Sequence, residues 1–535
     1  MTTSPQTTEV VETTPAPGAR RPQVFNWLLL LIVFVGGICS IGIELTASRL
    51  LGPYFGDSTI IWANLIGLTM LYLSIGYYFG GRVADRWPSA TLLFAITAVA
   101  GFATGLIPLM SRPILERSLV AFQDLAVGAF YGSLLGVILL FAVPVTLLGF
   151  VSPFAIRLRL LSVTSAGNTA GSLYALSTVG SIIGSFLPVL LLIPWVGTYK
   201  TFYTFSLILI GTSVIGLLLL RARVIALGAI LLAGIVLAVA ALWETSAIRP
   251  PEYGEIVHEE ESQYNYIQVV RDGSAHYLSL NEGHAIHSIY DPERPLTGGP
   301  WDYFMVAPYF NPDTSPSDVR SMALIGLAAG TVPKQFTAAY GPIPIDGVEL
   351  DPEIVKVGRE YFDMNEPNLN VIVQDGRYFL ATTDRQYDVI GIDAYHQPYI
   401  PFHLTTREFF QEVRDHLTPN GVAVVNAGRT ATDFRLVDVI ASTMKSVYPN
   451  VYIIDVGRFA NSMVIGTNQP TDIANFAENI ERLPPGLIRD VGEMSLKTGN
   501  IREWTSTDPK LVFTDDWAPV ERVVDLMIID TATGR

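Results

Sequence analysis

The chain has two hydrophobic rhythms. Up to about residue 245 it runs in long, nearly unbroken apolar stretches. Beyond residue 250 it alternates short apolar runs with amphipathic ones. Seven stretches, at about 27–51, 62–80, 91–110, 125–152, 169–196, 202–220 and 225–243, hold the roughly 20 apolar residues a helix needs to cross a bilayer. The first 25 residues are rich in Thr and Pro and predict a disordered tail. The first apolar run is too long for the hydrophobic region of a signal peptide and lacks a clear cleavage site, so it is expected to be retained.

In the second half, YNYIQVVR alternates, RDGS is a hairpin-type turn and HYLSLNEG follows, so residues 250–310 read as β-rich. A strand at 322–327 then leads into a glycine loop, Gly326–Gly330, and a helix near 332–340. Asp346–Leu350 form the next strand, and Pro352–Phe362 form a helix with Pro in its first turn. Strands follow at 370–374, 388–392 and 421–426, with a helix at 405–417 between the last two. Alternating β and α elements predict a parallel doubly wound sheet. The expected fold is a multi-pass α-helical membrane domain followed by a Rossmann-like, methyltransferase-type α/β domain with a small N-terminal β subdomain. Its divisions are a tail at 1–25, about seven transmembrane helices at 26–245, the β-rich subdomain at 250–315 and the Rossmann-like domain at 316–535.

Charge sharpens this division. Residues 1–249 carry 13 Lys/Arg and 8 Asp/Glu; the remainder carries 21 and 41. The acidic half repels nucleic acid, so no such partner is expected. It suits a cationic substrate such as a polyamine, or simply solubility. The sole cysteine, Cys39, lies in an apolar stretch, which excludes disulfides and cysteine metal sites. All seven histidines are in the soluble half, but His284, His287, His396 and His403 have no recognised ligand spacing, so no metal is expected.

Arginines at 20/21, 82/86, 157/159 and 221/223 mark alternate loops and place the N-terminus in the cytoplasm. Seven crossings then put the soluble half outside, away from cytosolic nucleosides; against that helix count and charge bias, the nucleoside-site reading makes a cytoplasmic soluble half the expectation. Integral membrane residence, in a bacterial inner membrane, is expected either way. Glu44 and Arg49 inside the first segment read either as a substrate path or as structural groups, paired or snorkelling. The small residues Gly171, Ser172, Gly180, Gly184 and Ser185 suit close helix packing. The expected loop Gly81–Arg86 resembles the Gly-x-x-x-Asp-Arg loop of major facilitator transporters.

The candidate chemistry lies at strand ends. Gly326 and Gly330 permit a tight turn and close approach of a ligand. Glu349 ends the next strand, 19 residues after Gly330, where an acid can bind both ribose hydroxyls. Asp375, beside Gly376, can accept from an adenine amino group. Asp393 ends a further strand. One such acid is an ordinary helix cap or solvated end; three at successive strand ends point to a ligand site.

GLAAG, VELD, QDGRYFL and YDVIGIDAYHQP, in this order and spacing, resemble the polyamine aminopropyltransferases, the spermidine synthase family, from about Ser262 to Asn468. The apolar half and the tail TDDWAPVER resemble bacterial members fused to a multi-spanning region. The resemblance implies decarboxylated S-adenosylmethionine as co-substrate (or S-adenosylmethionine or methylthioadenosine), an amine or polyamine acceptor and a homodimer. It assigns Glu349 to ribose, Asp375 and Gly376 to adenine, Asn265 to a nucleoside contact and Asp393 to the general base. A base is needed because an amine must lose its proton before attacking the carbon beside a sulfonium.

Three positions depart from that pattern. Ala329 stands where an acid is expected to meet the donor's ammonium. His396 replaces the second acid of the catalytic loop, either as a base of near-neutral pKa or as a structural substitute. Trp301–Met305 replaces a stretch that carries a Glu. The leading expectation is a membrane-anchored aminopropyltransferase-like enzyme. The alternatives are a methyltransferase on the same scaffold, and a polyamine or nucleoside transporter or sensor whose soluble domain binds without chemistry.

Overall fold

The computed structural model describes residues 23–55, 59–122, 128–160, 166–242, 248–251, 253–281, 285–395, 399–498, 500–506 and 508–533. Most of the expected tail lies outside these residues, but its last three positions are helical, because α1 starts at Gln23. The first half is built from α1 (Gln23–Phe55), α2 (Thr59–Arg86), α3 (Ala90–Phe122), α4 (Gly128–Gly149), α5 (Val151–Arg159), α6 (Ala166–Leu187), α7 (Ile193–Leu219) and α8 (Arg223–Leu242). Among the described residues, six helical runs are long and apolar enough to cross a membrane. The expected segments 169–196 and 202–220 belong to one 54-residue run, Ala166–Leu219. A turn of π-helix at Pro188–Leu192 joins α6 to α7, and the run is broken at Gly197 (φ 82, ψ 167), a conformation open to glycine. A bend therefore replaces the expected loop.

The glycines of α6 set its distance from α1. A Cβ on Gly180 would lie 2.3 Å from the Phe34 carbonyl oxygen, and one on Gly184 2.2 Å from that of Ile38. Gly37 on α1 makes the reciprocal approach to Ser177. This is the close backbone packing that small residues permit between apolar helices. The facilitator-like residues Gly81–Arg86 are not a loop but the last turns of α2, which runs on until Pro88 approaches. Asp85 pairs there with Arg157 of α5 at 2.9 Å.

The soluble half opens with an antiparallel sheet, β1 (Glu255–Glu261), β2 (Tyr266–Asp272), β3 (Ala275–Leu280) and β4 (Ile286–Tyr290), in that spatial order. Gly273 (φ 63) makes the expected hairpin turn. Beyond β4 the region expected to be β-rich holds no further strand: irregular residues 291–299 lead into α9 (Pro300–Tyr303) and a 3-10 stretch to Phe310, both buried. The succession then runs β5 (Met322–Ile325), α10 (Thr331–Tyr340), β6 (Ile345–Glu349), α11 (Pro352–Tyr361), β7 (Leu369–Val373), α12 (Gly376–Thr382), β8 (Tyr387–Ile392), α13 (Arg407–Asp415), β9 (Leu417–Gly428) and α14 (Arg435–Lys445). It closes with β10 (Asn450–Asp455), β11 (Asn461–Thr467), α15 (Ala474–Arg482), α16 (Leu487–Thr498), β12 (Ile501–Glu503) and α17 (Val520–Thr533).

The eight strands are ordered β12-β10-β11-β9-β8-β5-β6-β7. The five from β7 to β9 are parallel, as expected, but β11, β10 and β12 add antiparallel, so the sheet is mixed. A five-residue connection, too short for a parallel crossover, returns β10 directly into β11. Alternation along β5 separates two cores. Ala323 and Ile325 pack with Phe379, Phe409, Ile440 and Val524 on one face; Met322 and Leu324 pack with Phe336, Ile480 and Val491 on the other. From β5 the chain winds outward to β6 and β7, then crosses back to β8 and β9. That reversal opens a crevice at the carboxyl ends of β5 and β8, where such sheets bind ligands.

The two halves meet at the carboxyl end of α1. The Tyr54 hydroxyl donates to the Ile248 carbonyl at 2.6 Å, and Arg249 donates to that of Pro53 at 2.7 Å. Arg49 does not pair with Glu44. Its guanidinium donates to the carbonyls of Gln263 and Tyr264, in the turn between β1 and β2. Glu261, at the end of β1, accepts from the backbone and hydroxyl of Thr198 on α7. The turn 261–265 is therefore fixed to the helical bundle on one side.

Candidate active site

The glycine loop and the three acids each follow or end a parallel strand. At the end of β5, Gly326 has φ 90, and a Cβ there would sit 2.4 Å from the Asp393 carbonyl oxygen. Only glycine lets the β5 and β8 ends approach this closely. Gly330 (φ 89) precedes α10, where a Cβ would strike Met364. Between them Ala328 is left-handed (φ 47), and the Ala329 N–H donates to Ser288 Oγ of β4 at 3.0 Å.

Glu349, at the end of β6, turns its carboxylate back under this loop. One oxygen accepts from Ala328 N at 2.9 Å, the other from Asp351 N at 3.1 Å. Burial pushes its carboxyl up to about 7; the two backbone N–H donors oppose this and the neighbouring Asp351 adds to it. Each oxygen keeps a free lone pair for a ligand hydroxyl. Asp351 is fully buried. It accepts from Ser262 Oγ, from Asn265 Nδ2 at 2.9 Å and from Glu353 N at 3.1 Å. Asn265 thus faces Asp351, and its own oxygen accepts from Asn281 at 3.0 Å. It belongs to the turn clamped by Arg49 and Thr198, so hydrogen bonds run from that turn through Asp351 to Glu349.

Asp375, after β7, is the N-cap of α12. One oxygen accepts from the N–H groups of Arg377 and Tyr378, each at 3.0 Å, and the other lies 3.1 Å from His403 Nε2. Gly376 is required by packing, since a Cβ there would lie 2.2 Å from Ile325 Cγ2. Asp393, after β8, accepts from Asn426 Nδ2 at 2.8 Å. Burial raises its carboxyl to about 6, partly offset by hydrogen bonds from Asn426 and Trp301. Asp393 and Ala328 line one cavity of about 400 Å³, together with Trp301, Tyr395, Asn426 and Arg429.

Strand order ranks these groups as Asp375, Glu349, glycine loop, Asp393. At about 4.8 Å per strand the row spans roughly 14 Å. The chemistry of the row suits a polar, elongated ligand: hydroxyl acceptors in the middle, the Asp375 carboxylate at one end and the half-buried Asp393 carboxylate at the other. His284 and His396 lie outside the described residues. His287 lines the Asp393 cavity while His403 serves Asp375, and no three His, Cys, Asp or Glu side chains converge on a metal position among the described residues.

Residues 340–473 match the family described as the spermine/spermidine synthase domain. A relative from Bifidobacterium longum (strain NCC 2705), described as a probable polyamine aminopropyl transferase, is 31% identical over 313 residues, 55% of this chain and 66% of that protein. The polyamine aminopropyltransferase of Oceanobacillus iheyensis is 24% identical over 501 residues, 85% of this chain and 88% of its own length. The chain belongs to the spermidine synthase-like family. Its members named here are transferases, and the second match runs through the apolar half as well. The structure of spermidine synthase from Thermotoga maritima aligns at 17% identity with a TM-score of 0.37, covering 45% of this chain and 83% of that one.

Sequence reasoning missed several groups in this spermidine synthase-like domain. Asn426 ends the apolar run of β9 as the acids end theirs, so the same signal marked it. The pairings of Asp351 with Ser262 and Asn265 and of His403 with Asp375 carried no signal, because they span 89, 86 and 28 residues.

Proposed function

We propose that the protein is a membrane-anchored aminopropyltransferase that moves an aminopropyl group from decarboxylated S-adenosylmethionine to an amine and releases methylthioadenosine. The observation that carries this reading is the Asp393 carboxyl, raised to about 6 and aimed with Asn426 and Trp301 into the cavity beside the glycine loop. The adenosine fits the row of strand ends, with Glu349 on the ribose hydroxyls, Asp375 and Gly376 at the adenine, and Gly326 and Gly330 giving backbone access. Asn265 acts through Asp351 on Glu349. The donor supplies a sulfonium, a good leaving group. Asp393 takes the proton of the incoming amine; the nitrogen lone pair forms the new C–N bond as the C–S bond breaks towards sulfur. His396 is the candidate second base.

The apolar helices anchor this chemistry in a bilayer. α2 and α7 start at the end of the bundle that carries the soluble half, and they finish at Arg82, Arg86 and Arg221. By the positive-inside rule the arginine end is cytoplasmic and the transferase half lies on the opposite side.

Full-length protein with decarboxylated donor and a panel of amines should release methylthioadenosine. Absence of release with every amine overturns the reading. Ala329 favours one other reading, a methyltransferase, since methyl transfer needs the cradle but no acid at that position. Labelled methyl transfer from S-adenosylmethionine, with no product from the decarboxylated donor, would establish it.

A further inference from the structure

The acceptor cavity differs from wall to wall. At its inner end stand Asp393, Trp301 and, on β4 beside the glycine loop, His287. Asp393 is the one carboxylate among the described residues that line it. The opposite wall is hydrocarbon: Leu436 of α14, Phe459 from the β10–β11 turn, and Val524, Met527 and Ile528 of α17.

The polar groups between these walls are occupied with one another. Asn426 gives its amide nitrogen to Asp393, and its oxygen accepts from Asn461 Nδ2 at 2.9 Å. The Tyr395 hydroxyl donates to the Asn426 carbonyl at 2.9 Å and accepts from Gly428 N at 2.7 Å. Arg429 is pinned by three backbone carbonyls: Asn461 at 3.2 Å, Thr430 at 3.0 Å and Val456 at 3.1 Å. No ion pair joins it to a carboxylate among the described residues; its guanidinium lies 5.0 Å from the Phe434 ring centroid, and the residue lines the cavity.

This arrangement disfavours a second ammonium. An alkylammonium brings three donors and a charge that need acceptors or an anion. Beyond Asp393 the described residues of the lining supply mostly hydrocarbon and the Arg429 guanidinium. A hydrocarbon tail gains from the same wall. We propose, resting on the aminopropyl-transfer reading, that the acceptor is a monoamine with an apolar body, bound amine-inward at Asp393 with its tail against α17. The N–C bond forms at the inner end, the C–S bond of the donor breaks, the proton passes to Asp393, and the product is a secondary amine whose far end is still apolar.

The test is a matched pair, hexylamine and 1,6-diaminohexane, which differ by one terminal ammonium. With full-length protein in detergent and decarboxylated donor, kcat/KM for hexylamine should exceed that for the diamine at least tenfold. The Ile528→Glu variant, an exposed change on the apolar wall, should shrink or reverse that ratio, and Arg429→Gln should narrow it. A diamine preferred by the unaltered protein overturns the proposal and leaves aminopropyl transfer standing. No methylthioadenosine from any amine removes the transfer reading and this proposal with it. Calorimetric titration of the two amines into the methylthioadenosine complex checks the same preference without chemistry; equal affinities, or tighter diamine binding, also overturn it.

Discussion

Two carboxyls, one buried and one half-buried, set the behaviour of the site residue by residue. Asp393 must be ionised to take a proton, so kcat/KM should rise with pH through about 6. Asp393→Asn should lower kcat about 100-fold or more while leaving methylthioadenosine binding largely intact. Glu349 has a second signature. Its folded pKa, about 7, lies above the unfolded value, so the stability it contributes as a neutral acid is full below about 4.5 and lost as pH rises through 7. Relative to Glu349→Gln, the ligand-free protein should therefore lose roughly 1–3 kcal/mol between pH 5 and 8, read as a falling difference in Tm. Methylthioadenosine should reverse this trend and bind more tightly as pH rises, because ribose hydroxyls donate best to the ionised carboxylate.

At the scale of elements, glycines hold the design together. Gly184→Leu forces α6 away from the Ile38 carbonyl of α1 and should cost about 1–3 kcal/mol, seen as a lower Tm in detergent. Gly228→Leu on α8, where nothing lies within 4 Å, is the control and should be close to neutral. What was legible in the sequence follows the same division. The five parallel strands announced themselves because each is a short apolar run ended by a polar residue, and Glu349, Asp375 and Asp393 fall at those ends. The 54-residue run did not, because apolar composition does not distinguish a loop from a bend at Gly197. Nor did the antiparallel return of β10 and β11, whose runs look like any buried strand. The hold of Asn265 and Ser262 on Asp351 spans more than 80 residues and belongs to the folded chain alone.

For the whole molecule, orientation can be measured with a clean background, since Cys39 is fully buried. A cysteine at Ser274, in the exposed β2–β3 turn, should react with a membrane-impermeant maleimide on intact cells, whereas one at Ser89, at the arginine end, should react only after lysis. The opposite pattern would put the transferase half in the cytoplasm. The turn from Glu261 to Asn265 carries a different consequence. Five residues touch Arg49 and Thr198 of the bundle on one side and Asp351, beneath the ribose acid, on the other. A tilt of α1 or α7 is thus passed to Asp351 and Glu349, the proposed ribose acid. On the proposed placement of the bundle in a bilayer, thickness becomes a kinetic variable: reconstitution in thinner or thicker lipids should move KM for the proposed donor more than kcat, and the second half cut free at residue 250 should bind nucleoside more weakly than the intact chain.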